Sequence, residues 1–76
     1  MPRGLIEING EALRAERERA GLSVIDVGRR TGIAPESLSR IENGPPKHVR
    51  PVTVRNLAKA IEVEPEQLVM RAAGAG

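Results

Sequence analysis

Two helix signals lie within a few residues of each other in this chain, and they constrain its fold more than any other feature. Ser23 precedes Val24, and Asp26 follows three residues after the serine. That is a capping-box arrangement, in which each side chain satisfies the other's backbone N–H at a helix start. The inward stripe is Val24, Val27, Gly28 and Thr31, and Gly32 supplies the stop, since glycine accepts positive φ without steric cost. Pro35 opens the next helical stretch, where its missing N–H is not needed. This second helix runs to Asn43 and ends at Gly44. Gly28 is small where the two helices must cross, and Ile33, Leu38 and Ile41 are placed to anchor the second helix to a core.

At 76 residues the whole chain leaves room for one domain. Met1 to Ile8 reads as an extended arm containing Leu5, Ile6 and Ile8. Asn9 is a helix cap, followed by an amphipathic helix from Gly10 to Ala20 with Leu13, Arg17 and Ala20 on one side and Gly21 as its stop. Gly44, Pro45, Pro46 and Pro51 mark a loop. A fourth helix begins between Pro51 and Thr53 and buries Val54, Leu57, Ala58 and Ile61 at helical spacing. A fifth opens at Pro65 and buries Leu68, Val69 and Ala72. The expectation is an all-α, compact five-helix domain over 10–73, with an arm at 1–9 and a flexible tail at 74–76. No internal repeat is visible.

Composition removes several classes. The apolar fraction is 39% with no aromatic residue, so stacking single-stranded bases on rings is closed to this chain. No cysteine and a single histidine argue against disulfides, metal sites and catalysis by a histidine-activated nucleophile. No phosphate-cradling motif appears, so neither an enzyme nor a cofactor is expected. The sequence shows no membrane span and no signal peptide, which gives a cytoplasmic expectation, nucleoid-associated when DNA-bound. Net charge is only +2, with a pI of about 9.9. Every basic residue except Lys47 and Lys59 is arginine, the side chain suited to bidentate contacts with phosphate or guanine.

Two short helices joined by a glycine-containing turn are the signature of a helix-turn-helix, here Val24 to Ile41. If Leu38 and Ile41 face inward, ~100° per residue turns Glu36, Ser39, Arg40 and Asn43 outward. The stretch GLS…VGRRTGIAPESLSRIENG resembles the phage-repressor/Cro-type (lambda-repressor-like) helix-turn-helix family, and the later LAKAIEVEPEQL resembles that family's fourth and fifth helices. The most specific piece is Leu38 to Gly44.

The resemblance implies that the 35–43 helix lies in the major groove of double-stranded DNA. Arg40 would then meet guanine or phosphate, Glu36 would accept from cytosine, and Pro35 would touch a thymine methyl. Phosphates would fall to Ser23 and Val24 at a helix N-terminus, to Ser39 and Asn43, and to Lys47, His48, Arg50 and Arg55. It also implies a partly buried structural ion pair between Arg17 and Glu42. Arg29 and Arg30 read as exposed residues of the helix before the turn.

The sequence departs from the family pattern at four places. Val24 stands where glutamine often bridges phosphate and recognition helix, and Ala34 where a capping serine or threonine is common. Pro35 and Glu36 replace the usual polar or basic pair, and the loop from Pro45 to Pro51 is longer than that of a compact member.

A single recognition helix contacts few bases, so the expected assembly is a homodimer on half-sites ~34–36 Å apart. Val49, Val52 and Met70 are dimer candidates, as is the Leu5–Ile8 arm by strand pairing; local core packing is the other use for each. The function expected is a sequence-specific transcriptional regulator, repressor or Cro-like, on a palindromic operator. Two alternatives stay open: an antitoxin-like protein that also binds a toxin, and a helix-turn-helix interaction module that has lost DNA binding, suggested by Val24, Ala34 and Glu36.

Overall fold

With no Phe, Tyr or Trp to offer, the chain builds its hydrophobic core from aliphatic side chains. Leu13, Val27, Leu38, Val54, Leu57 and Leu68 meet there almost without solvent contact, joined by Ile8, Ile41, Ala58, Ala60 and Ile61. Truncating any one of the buried leucines to alanine costs about 2–5 kcal/mol. The computed structural model describes residues 4–70; Ala72 and the expected tail at 74–76 lie outside them.

Helix α1 is Gly10–Arg19, and the Asn9 side chain accepts from the Ala12 N–H at 3.1 Å to cap it. Leu13 is its buried residue, whereas Ala20, expected on the inward stripe, is exposed in the turn beyond the helix. Helix α2 is Val24–Thr31 and carries the full capping box: Ser23 N–H donates to Asp26 Oδ2 at 2.8 Å, and Asp26 N–H to Ser23 Oγ at 3.0 Å. It ends at Gly32 with φ of 81°. Helix α3, Pro35–Asn43, begins without a side-chain cap because Ala34 has nothing to offer. Helix α4, Pro51–Ile61, buries the four residues its spacing predicts together with Ala60.

Two elements differ from the expectation of five helices and no strand. Ile6–Ile8 forms strand β1, antiparallel to β2 at Lys47–Val49, with Ile6 opposite Val49, Glu7 opposite His48 and Ile8 opposite Lys47. The stretch from Gly44 to Pro51 is therefore not loop throughout. The fifth helix is a single 3₁₀ turn, Pro65–Leu68. Its continuation is diverted by the second edge of β1: Ile8 bridges Val69, Asn9 N–H reaches Leu68 O at 2.7 Å, and Met70 N–H reaches Glu7 O at 2.9 Å. Extended backbone here satisfies β1 donors and acceptors that a continuing helix would leave unpaired. Among the described residues, four α-helices, one 3₁₀ turn and a small sheet thus replace the all-α architecture. Both edges of β1 are occupied within the chain, so the Leu5–Ile8 arm has no free edge for pairing with another molecule.

Candidate nucleic-acid interface

Close approach of backbone positions α3. A Cβ at Gly28 would stand 2.8 Å from the Ile33 carbonyl oxygen and 3.6 Å from the Pro35 ring. Only glycine lets α2 approach the turn and the first residue of α3 this tightly. At the far end, a Cβ at Gly10 would collide with the Ile41 carbonyl oxygen, so the start of α1 lies directly on the last turn of α3. Arg17 and Glu42 join the same two helices, with Nε to Oε2 at 2.7 Å and Nη2 to Oε1 at 2.9 Å. The third arginine nitrogen, Nη1, donates to Leu22 O at 2.8 Å. The Glu42 hydrogen bond raises the Arg17 guanidinium above its ordinary value, reinforcing a charge that is permanent anyway.

Held at both ends, α3 buries Leu38, Ile41 and Glu42 and turns Pro35, Glu36, Ser37, Arg40 and Asn43 to solvent. Ser39 is half-buried. Among the described residues Arg40 has no ion pair, and none forms with Glu36 one turn away. Asn43 donates its amide to Ser39 O at 3.1 Å, closing the last helical turn and leaving its Oδ1 outward-facing capacity. Ser37 was not singled out from sequence. Anchoring the helical wheel on Leu38 and Ile41 alone puts it at the margin; including buried Glu42 swings the buried centre away and exposes it.

The remaining positions are distributed around this helix. At the start of α2 the Ser23 N–H is taken by Asp26 rather than facing outward, so Val24 and Ile25 supply the open first-turn donors. The Ser23 backbone N–H and hydroxyl hold the Asp26 carboxyl below the usual carboxylate range, keeping a negative charge beside those donors. Arg29 and Arg30 are both exposed, and Arg30 donates to Ala60 O at 2.8 Å, which ties α2 to the end of α4. Lys47, His48 and Arg50 are exposed, yet they do not form one cluster. Successive strand residues point to opposite faces, so His48 and Arg50 share the outer face of β2 and Lys47 leaves on the other. Glu7 lies 4.0 Å from His48 across the sheet. Arg55 is exposed on α4. Of the dimer candidates, Val52 and Met70 are exposed, whereas Val49 packs against the core. No group of three potential metal ligands occurs among the described residues, and no helix among them is long and apolar enough to cross a membrane.

This architecture is a helix-turn-helix of Cro/lambda-repressor type, and residues 10–70 match the helix-turn-helix domain family. The chain belongs to that family. The HTH-type transcriptional repressor RghR of Bacillus subtilis (strain 168) is 37% identical over 67 residues. That match covers 88% of this chain but 50% of the relative, so the helix-turn-helix chain spans about half the length of the curated relative it matches. Among solved structures, the restriction-modification controller protein C.AhdI from Aeromonas hydrophila superposes with a TM-score of 0.69 at 29% identity. The superposition covers 76% of this chain and 86% of the controller. The family match begins at Gly10, so β1 lies outside it.

Proposed function

We propose that this chain is a sequence-specific, double-stranded DNA-binding transcriptional regulator of repressor type, acting as a homodimer on a palindromic operator. The observation that carries the reading is the solvent face of α3. Glu36, Ser37, Arg40 and Asn43 project together from a helix fixed at both ends, and Arg40 is left without an intramolecular ion partner among the described residues. A rigid helix with an unpaired arginine and short polar neighbours is suited to the major groove, where arginine meets guanine O6 and N7 in a two-point contact.

In this reading Arg40 reads guanine, Glu36 accepts from cytosine N4, and Pro35 offers an apolar ring to a thymine methyl. Ser39, Asn43, Lys47, His48, Arg50 and Arg55 approach phosphates, as do the Ser23 hydroxyl and the Val24 N–H. These backbone contacts set register and carry the salt dependence; base contacts carry sequence. The names of the relatives, a transcriptional repressor and a controller protein, support the same class.

Selection from a randomised duplex library tests it. The expected product is a two-fold symmetric sequence, with Arg40→Ala losing preference at one defined base of each half-site. Recovery of nothing above background by folded protein at low salt would reject direct DNA reading.

A further inference from the structure

The small sheet has an outer face that nothing in the domain covers among the described residues. Ile6, Ile8, Val49 and Val69 turn inward against the core. Strand alternation therefore sends Glu7, His48 and Met70 outward in one row, with Leu5 and Arg50, on the adjoining extended backbone, in the next. Leu5 is 39% exposed and Met70 45%, two of the largest exposed apolar side chains.

We propose that a second copy of this chain docks on this face, setting each Glu7 against the other copy's Arg50 around Leu5 and Met70. This deepens the dimeric reading above and rests on it. A two-fold contact must be complementary to itself. Here the acid sits on β1 and the bases His48 and Arg50 on or just after the neighbouring strand, so a rotated copy brings opposite charges together twice. The location fits as well. Strand β2 follows α3 after Gly44, Pro45 and Pro46, so a copy seated here brings two recognition helices near each other by their C-terminal ends. A groove of about 290 Å³ between the start of α1 and the end of α3, rimmed by Pro46 and Met70, continues the face.

Size sets the strength. Two three-residue strands and the bridged backbone at Val69, ~4.8 Å apart, offer roughly 14 by 10 Å, or on the order of 150 Å². A stable complex buries ~800 Å² per partner. The pairing is therefore weak in solution, and a duplex carrying both half-sites must supply the remainder.

Sedimentation equilibrium on the full chain without DNA, from micromolar to ~1 mM, tests the interface. The wild type is expected to associate reversibly at the upper end of that range. Glu7→Arg and Arg50→Glu should each weaken association by about tenfold, because each sets like charges together twice. Their equimolar mixture should restore it, since the mixed pair regains both opposite-charge contacts. Repulsion within one copy cannot be relieved by mixing, so restoration distinguishes contact between copies from damage to either variant. A wild type that stays monomeric to ~1 mM overturns the assignment. So does a mixture that associates no better than its components. No duplex is present, so failure here is separate from failure of the DNA reading.

Discussion

Arg17 and Glu42 lie 25 residues apart in sequence and form a two-point ion pair that closes α1 onto the end of α3, with side-chain exposures of 12% and 2%. Isolated charges of this kind are expensive to bury, and the pair is tolerable because every polar atom has a partner: no buried side-chain nitrogen or oxygen among the described residues lacks a hydrogen bond. Glu42→Ala leaves a guanidinium enclosed without its counter-charge. We expect a loss of about 3–5 kcal/mol in urea unfolding, a large share of a small domain's stability. Replacing both partners together, Arg17→Met with Glu42→Leu, should recover most of that loss. A Glu42→Ala protein as stable as wild type would show that the pair contributes nothing.

The contact between α1 and α3 also depends on what is absent from Gly10. Its missing Cβ leaves room for the Ile41 carbonyl, which is backbone and cannot rotate aside. Gly10→Ala therefore forces α1 away from α3. A cost of at least about 1–3 kcal/mol, the usual range for overpacking, is expected from denaturant titration. Gly21→Ala is a useful contrast. Its φ of 74° is strained for alanine, but a Cβ there meets nothing within 4 Å, so about 1 kcal/mol is expected. Equal costs at the two sites would mean that α1 can shift away from α3 at little cost.

Local signals made the centre of this domain legible from sequence. Ser23 with Asp26, Gly32 and Pro35 each act within four residues, and the structure has the helix starts and stops where those residues predict them. The sheet was not legible because its cause is distant. Strand β1 finds its partner about forty residues on, in a segment whose flanking prolines read as loop, and three residues are too few to establish a period. The fifth helix failed for the same reason: Pro65 begins a turn, but β1 claims the backbone after Leu68. On the candidate interface, the outward positions of Glu36, Arg40 and Asn43 followed from helical geometry, whereas Ser39 is half-buried and exposed Ser37 was not read as outward. The bonds that occupy the Ser23 N–H with Asp26 and tie Arg30 to Ala60 did not follow from that geometry, since both are decided by side-chain hydrogen bonds.

At the start of α2, stability should depend on acidity through Asp26. Its hydrogen bonds from Ser23 lower its folded value below that of the unfolded chain. A depressed carboxyl contributes stability above its unfolded value, ~3.9 for aspartate, and loses it as pH falls through the lower folded one. Wild type should thus exceed Asp26→Asn at neutral pH, with the gap closing as the solution is taken well below pH ~4. Ser23→Ala removes the reciprocal bond and should cost about 1 kcal/mol at neutral pH. Thermal unfolding from neutral to strongly acidic pH measures both. A gap that widens on acidification would contradict the cap as the origin of the shift.

If the DNA reading holds, Arg40 and Lys47 should fail in different ways when truncated. Arg40 projects from the middle of α3 without an ion partner, whereas Lys47 sits on β2 beyond its end. Arg40→Ala should lose about 1–3 kcal/mol of discrimination at one base of each half-site, with similar residual affinity across variants of that base. Lys47→Ala should weaken binding uniformly across sequences and reduce the slope of log affinity against log salt by about 0.9 for each phosphate contact removed. Binding titrations on the selected duplex and its single-base variants, at three salt concentrations, separate the two. Uniform weakening by Arg40→Ala would move that arginine to the phosphate backbone and leave base reading to Glu36, Ser37 and Pro35.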